Sequence, residues 1–434
     1  MRILFCNYEY PPLGGGGGVI NALLAQEMAK RHEVTVLTSQ GLGLPRESME
    51  NGVRVVRVPV LFRRQAEVAN LLSMAAFIPR GIKVGKKLLQ DNHYDVINTH
   101  FVLPSGPVGD ILARLGGIPH VLSPLGGDLY DPSKRLSPHR HLLLRAWIRW
   151  LLRRSNMVVW ASTNTLENMR RFYTPEIEGV YIPLGIQRPE QDAASRQQYG
   201  FAQDEVLLVT VGRLIPRKAT SQLLTAMQAL RQERVRLLII GSGPEETLLK
   251  EESAKKHLEN HICFVGHVEE AEKFRLLQMC DFYVSTSQHE GFGLVFLEAM
   301  ACGLPIVCYN YGGQTDFLEH TTTGYLPALN DLESFVGYCR CLIKDRDLRL
   351  RVGQENLRRV NDLFIDRCAE RYEEIFREAM ACRQIQGLVS LSNTRKLPLK
   401  SLETELTPGC HSNRTDDGRS TVSLRALKER NLVS

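Results

Sequence analysis

The chain has 434 residues, 43% hydrophobic and 24% charged, an ordinary globular composition with length enough for two cores. No run approaches the roughly 20 apolar residues of a spanning helix, and the ten cysteines lie scattered without CxxC pairs, which disfavours an integral membrane protein, a disulfide scaffold and a cysteine-bound metal. The net charge of +6 is uneven, with 22 Lys and Arg against 14 Asp and Glu in residues 1–185 and −2 in the remainder, so the first half suits an anionic partner such as phosphate or a lipid headgroup.

In chain order, RILFCN (2–7) reads as a first strand, and its apolar run is too short for a secretory signal. Free thiols and no leader point to a cytoplasmic protein. Five glycines follow, Gly14–Gly18, and then VINALLAQEMAKRH with helical spacing. A dinucleotide fingerprint fails here. Its third glycine would be Val19 or Ile20, and the second strand ends in Thr38, Ser39 and Gln40 with no acid for a ribose. No GK[ST] follows, so the phosphate loop of nucleotide triphosphatases fails as well. Bare amides of Gly15, Gly16, Gly17 and Gly18 at a helix start still attract an anion or admit a close ligand; a purely structural turn is the alternative.

The strands EVTVLTS, VRVVRVP, YDVINTH, PHVLSPL and NMVVWAS alternate with helical stretches, the pattern of βα units around a parallel sheet. The pattern pauses at VYIPLGI (180–186) and a polar connector, then restarts with EVLLVTVGRL, VRLLIIGSG, HICFVGHV, DFYVSTS and PIVCYN. The expected architecture is α/β: two doubly wound Rossmann-like domains, 1–185 and 190–364, facing across a cleft. Residues 365–383 are expected to form a crossover helix packing back on the first domain. From about 385 to 434 the polar, aperiodic chain is expected to be a disordered tail.

The strongest chemical signal is VSTSQHEGFGLVFLEAMACGLPIVCYNYGG (284–313). Glu290 falls in a strand-to-helix loop and Glu298 in the helix that follows. Between them Gly291, Phe292, Gly293 and Leu294 form an amide-rich helix start where the dipole is positive. Such a unit suits a polyol carrying phosphate: the loop acid accepts from sugar hydroxyls and the helix acid takes a ribose diol. Taken singly, Glu290 as a cap and Glu298 as a surface acid are equally available readings.

Taken with its flanks, the string resembles the E-x7-E signature of retaining, nucleotide-sugar-dependent glycosyltransferases of family 4, which have the GT-B fold. The resemblance covers residues 1 to about 383. A second segment, VTVGRLIPRKATSQLL, is similar to the family's G-R-L-x-x-x-K, in which Arg213 and Lys218 would hold the donor diphosphate and stabilise the charge on the leaving phosphate. Ala219 stands where a glycine is usual. Gly241 in GSGP, and Gly266 and His267 in FVGHV, match weaker donor-side loops, and the glycine loop at 15–18 would face the donor. The resemblance implies catalytic roles for Glu290, Arg213 and Lys218, no cofactor and no metal. Its partners would be a nucleoside diphosphate sugar and a glycan or lipid-linked, cell-envelope acceptor, with no nucleic acid.

The first domain departs from the pattern. Family members often carry a histidine after the fifth strand, where this chain has Leu125 in HVLSPLGGDLYDPSKR; Asp128 remains. His100, at a strand end, is expected to face the cleft, and with Asp128 is a candidate for the acceptor side. KRLSPHRHLLLRAWIRWLLRRS (134–155) combines arginine, tryptophan and leucine and suits a helix on an anionic membrane, at the inner face of the cytoplasmic membrane. An ordinary domain helix with its arginines in water is the alternative. For the whole chain, a sugar-nucleotide epimerase of the same fold and a non-catalytic sugar-nucleotide-binding relative are the competing readings.

Overall fold

The structure is a computed structural model that describes residues 1–41, 43–60, 63 and 70–395. Residues Met1–Met380 form one compact body, and Ala381–Ser434 a second unit. Within the first body lie two sheets. The first holds β1 (Arg2–Cys6), β2 (Glu33–Gln40), β3 (Glu47–Glu50), β4 (Val53–Pro59), β5 (Val96–His100), β6 (His120–Ser123), β7 (Met157–Trp160) and β8 (Val180–Tyr181), in the order β3-β4-β2-β1-β5-β6-β7-β8. Neighbours are parallel except β3 and β4. That pair is a hairpin turned by Asn51 and Gly52, both at positive φ (49° and 82°), as a two-residue turn demands. Helices α1 (Gly16–Ala29), α2 (Leu71–Asp91), α3 (Ser105–Gly116), α4 (Leu142–Arg154) and α5 (Thr163–Phe172) connect the strands. Ile3, Leu4, Phe5 and Cys6 are all buried, because helices cover both faces of the sheet.

The second sheet is parallel throughout: β9 (Val206–Val211), β10 (Val235–Ile240), β11 (Ile262–Gly266), β12 (Phe282–Ser285), β13 (Ile306–Cys308) and β14 (Gly324–Tyr325), ordered β11-β10-β9-β12-β13-β14. Around it stand α6 (Thr220–Leu230), α7 (Glu246–Lys255), α8 (Glu270–Met279), α9 (Leu294–Ala301), α10 (Leu332–Lys344) and α11 (Arg346–Arg359). The last helix, α12 (Ile365–Arg395), continues past residue 385, where the tail was expected to begin; residues 396–434 lie outside the described residues.

The chain crosses between the sheets twice, and the crossings pair. Ile365 N donates to Ile186 O (2.8 Å) and Ile186 N to Leu363 O (3.2 Å). Gly185 is needed there, since a Cβ would come 2.7 Å from the Ile365 Cα. Beyond this pairing the start of α12 lies on the first domain: Phe376 meets Phe5 edge-on (6.3 Å), and Arg31 pairs with Glu373 at 2.5 Å.

Both sheets reverse their strand order at one point, between β1 and β5 in the first and between β9 and β12 in the second. At such a switch point adjacent loops diverge and leave a crevice at the carboxyl ends of the strands. The glycine loop follows β1, Arg213 and Lys218 follow β9, and Glu290 follows β12. The fold therefore delivers the chemically marked segments to its crevices.

Candidate functional site

The loop from β9 to α6 makes a single 3-10 turn, Pro216–Lys218, that turns two cations toward the loop after β12. Lys218 Nζ donates to Glu290 Oε1 (2.5 Å), and Arg217 Nη1 reaches Glu290 Oε2 (3.2 Å) and also donates to the His289 carbonyl. Burial alone would push the Glu290 carboxyl up, but the charges of Lys218 and Arg217 outweigh it and hold the group at about 2. Ala219 closes the turn at φ 46°, ψ 40°, in the left-handed region, which explains why glycine is usual at this position.

Glu298, the fifth residue of α9, is also buried, and its Oε1 pairs with Lys273 of α8 at 2.8 Å. Burial raises its carboxyl, opposed by Lys273 and, more weakly, Lys218. Its Oε2 is buried without a hydrogen-bond partner. Lys218 thus acts on both acids, and Tyr283 of β12 feels both as well. Gly293 starts α9 at φ 96°, and Phe292 is packed against Phe317 (5.1 Å), so the Phe292 side chain belongs to the core and only its main chain is left for a ligand. Leu294 is half-buried.

At the ends of β9, β10 and β11 the backbone forms a shelf. Gly241 N donates to Gly266 O (2.7 Å), and a Cβ on Gly241 would lie 2.0 Å from the Gly212 carbonyl oxygen. Gly266 has open space at its Cβ position, and His267 beside it is exposed.

Opposite stands the glycine loop, with Gly15 capping α1 and Gly16, Gly17 and Gly18 forming its first turn. A Cβ on Gly17 would lie 2.2 Å from Phe101 Cζ and 3.1 Å from Leu125 Cδ1, so glycine is required there by packing. Gly15 is open, and the Gly16 position meets Leu294 across the cleft at 3.6 Å. Glu9 supports this loop, its Oε2 accepting from Gly15 N (3.1 Å). Burial pushes the Glu9 carboxyl up, against the pull of that N–H and of Arg63, Lys134 and Arg213. The last of these belongs to the second domain, so the two sides of the cleft act on each other here.

One expectation for the acceptor side is corrected. His100 does not face the cleft: it is buried between Phe5 and Tyr372, each 6.0 Å away, and its Nδ1 meets Asn21 Nδ2 at 2.7 Å. Burial lowers it to about 3, so it stays neutral; α12 lies over the strand end that was expected to be open. Asp128 is committed to its own domain, accepting from Val102 N (2.7 Å) and Leu125 N (3.1 Å). It shapes the loop that carries Leu125, whose carbonyl oxygen would be only 3.0 Å from a Cβ on Gly291.

Sequence reasoning missed Arg217, Lys273 and Glu9, and also a clasp across the cleft. Ser162 Oγ donates to Gly291 O (2.7 Å), Thr163 N to Asp316 Oδ2 (2.6 Å), and His289 Nε2 meets Asn164 Oδ1 (3.2 Å). Tyr130 of the first domain packs edge-on against His289 (5.3 Å). The start of α5 thus grips both flanks of the loop bearing Glu290. Among the described residues no group of three or more His, Cys, Asp or Glu is placed to hold a metal, and no helix is long and apolar enough to cross a membrane.

Two family profiles match the chain, "Glycosyl transferase 4-like domain" over residues 15–185 and "Glycosyl transferases group 1" over residues 191–359. N-acetyl-alpha-D-glucosaminyl L-malate synthase of Bacillus anthracis is 26% identical over 388 residues, covering 86% of this chain and 96% of the relative. The uncharacterized glycosyltransferase MJ1607 of Methanocaldococcus jannaschii is 30% identical over 348 residues, covering 75% and 84%. Among solved structures, sucrose-phosphate synthase from Thermosynechococcus elongatus superposes with a TM-score of 0.77 at 22% identity, over 88% of this chain and 99% of that one. Anabaena HepE in complex with UDP-glucose superposes at 0.67 and 20% identity, over 87% and 100%.

Proposed function

Because the chain belongs to the GT-B glycosyltransferases of the family 4 type, we propose that it is a retaining enzyme that moves a sugar from a nucleoside diphosphate donor to an acceptor hydroxyl. The observation that carries this reading is that Lys218, the cation of the second motif, lies against Glu290, the first acid of the signature, with both groups largely buried.

In this reading the diphosphate lies beside Arg213 and Lys218. As the bond between the anomeric carbon and the phosphate oxygen breaks, negative charge grows on the leaving group, and the fixed cations stabilise it without reorganising. The acceptor oxygen bonds to the anomeric carbon on the same face, and its proton passes to the departing phosphate. Glu290, kept ionised, accepts from sugar hydroxyls. Glu298 Oε2, a buried acceptor without a partner, suits a ribose hydroxyl, since leaving such an atom unpaired costs about 1–3 kcal/mol. Gly266 leaves room for a base on the shelf, and the glycine loop, with open space at the Gly15 Cβ position, faces the donor from the first domain. The HepE complex places UDP-glucose on the same fold, in keeping with this class of donor. The basic first domain favours a lipid-linked or cell-envelope acceptor. The epimerase reading is not favoured, because the matched relatives are named as transferring or synthase enzymes.

The test is nucleoside diphosphate release from a panel of UDP- and GDP-sugars with lipid extract as acceptor. Release that rises with acceptor and is lost in Glu290→Ala and Arg213→Ala is expected. Release indifferent to both substitutions would overturn the site.

A further inference from the structure

Helix α4 has two apolar stripes where a domain helix needs one. Ile148, Leu151 and Leu152 face inward and are buried. On the other side Leu142 and Leu143 are 77% and 87% exposed, and Trp147 and Trp150 lie exposed one and two turns further on. Leu136, just before the helix, is exposed too. The arginines flank this outer stripe. Arg145 donates to Phe172 O (2.8 Å) and Arg149 to Tyr173 O, which fixes both at the side of the helix, and Arg154 stacks on Trp150 at 4.1 Å. Between residues 132 and 166 there are seven Lys and Arg and no Asp or Glu.

A second exposed leucine pair supports the same face. Leu71 and Leu72 open α2 and are 63% and 67% exposed, with Lys83, Lys86 and Lys87 exposed further along that helix. Helix α2 packs on α3, and α3 on α4, so the three form one layer on the first sheet. Each precedes a strand that runs parallel to the one before it, so all three run against the strands and start at the carboxyl edge. Both leucine pairs therefore lie at the end of the layer that borders the cleft. The α4 pair has Lys134, Arg135, Arg140 and Arg145 close by in the chain, while the α2 lysines stand about three to four turns further from that end.

We infer that this end of the α2–α4 layer is a docking surface for an anionic lipid bilayer: the leucines and tryptophans enter the headgroup boundary, and the lysines and arginines meet lipid phosphates. Exposed leucine and tryptophan beside an excess of cations, of which Lys134 and Arg154 are paired with Asp131 and Asp110, match the two components of interfacial binding, apolar insertion and attraction to anionic headgroups. The face lies beside the cleft, so the bound protein presents its acceptor side to the membrane surface. That last point rests on the transferase reading; the docking surface does not.

The experiment uses the full chain and vesicles of phosphatidylcholine with or without one-third phosphatidylglycerol, in the absence of sugar nucleotide. Sedimentation with anionic vesicles, weakened by salt, is expected. Of the three tryptophans Trp160 is buried, so a blue shift of emission on binding reports Trp147 and Trp150. Leu142→Ser/Leu143→Ser, and separately Leu71→Ser/Leu72→Ser, should each lower the bound fraction roughly tenfold with an unchanged circular dichroism spectrum. Failure to bind anionic vesicles, equal binding by both double variants, or an unshifted emission would overturn the proposal. So would light scattering that shows the face buried in a dimer dissolved by the same substitutions. Vesicle binding without any nucleotide release would sink the transferase reading alone.

Discussion

Replacing Lys218 by Met tests the electrostatic centre of the site. The Glu290 carboxyl lies at about 2 against an ordinary glutamate value of 4.5. At roughly 1.4 kcal/mol per pH unit the cations around it contribute about 3 kcal/mol to folding at neutral pH. Lys218 is nearer than Arg217, 2.5 Å against 3.2 Å, and supplies the larger share. Lys218→Met should therefore cost about 2 kcal/mol at pH 7, as a buried carboxylate loses its main partner. The sign of the pH dependence follows from a lowered folded value: the stabilisation is complete above about 4.5 and is lost as pH falls toward 2. Urea midpoints of both proteins, measured from pH 8 down to pH 3, should be well separated at neutral pH and converge on acidification. A gap that stays constant with pH, or one below about 0.5 kcal/mol at pH 7, would show that the pair is not the buried ion cluster described and that Glu290 owes its ionisation to something else.

Ala219→Gly should raise stability by about 1 kcal/mol, seen as a higher melting temperature, because it relieves a left-handed alanine at φ 46°. Gly17→Ala should lower the yield of folded protein or its melting temperature by several degrees, since a Cβ would lie 2.2 Å from Phe101, whereas Gly15→Ala, with nothing within 4 Å, should fold normally and change the apparent KM for the sugar nucleotide. Asp316→Ala removes the carboxylate that caps α5 from the other domain; kcat/KM should fall several-fold, and small-angle scattering should report a larger radius of gyration. An unchanged radius with unchanged turnover would mean that the clasp has no part in closure.

The two sheets were legible because their strands are continuous apolar runs separated by helical spacing, and Glu290 and Glu298 stood out as two acids in an otherwise apolar string. The partners of those acids were harder to see. Lys273 sits in EAEKFRLLQMC among other helix charges, and only the packing of α8 against α9 singles it out. Arg217 adjoins Lys218, but that both reach one carboxylate depends on the 3-10 turn between Pro216 and Lys218. The error at His100 has a physical cause: a strand end in a doubly wound sheet usually borders the crevice, and here a helix from the far end of the chain covers it. The hairpin at Asn51-Gly52 carries a turn signal in the sequence itself, an Asn-Gly pair with both residues at positive φ. The clasp joins residues 162–164 to residues 289–316, a pairing no local pattern encodes.

The bonded crossings at Ile186 and Ile365 bear on how the two halves of the molecule move. Two chain passages held side by side act as a pivot with a single axis: they permit swinging and resist shear and twist. A single pair of fluorophores placed on the two rims of the cleft would then follow opening as a change in one angle.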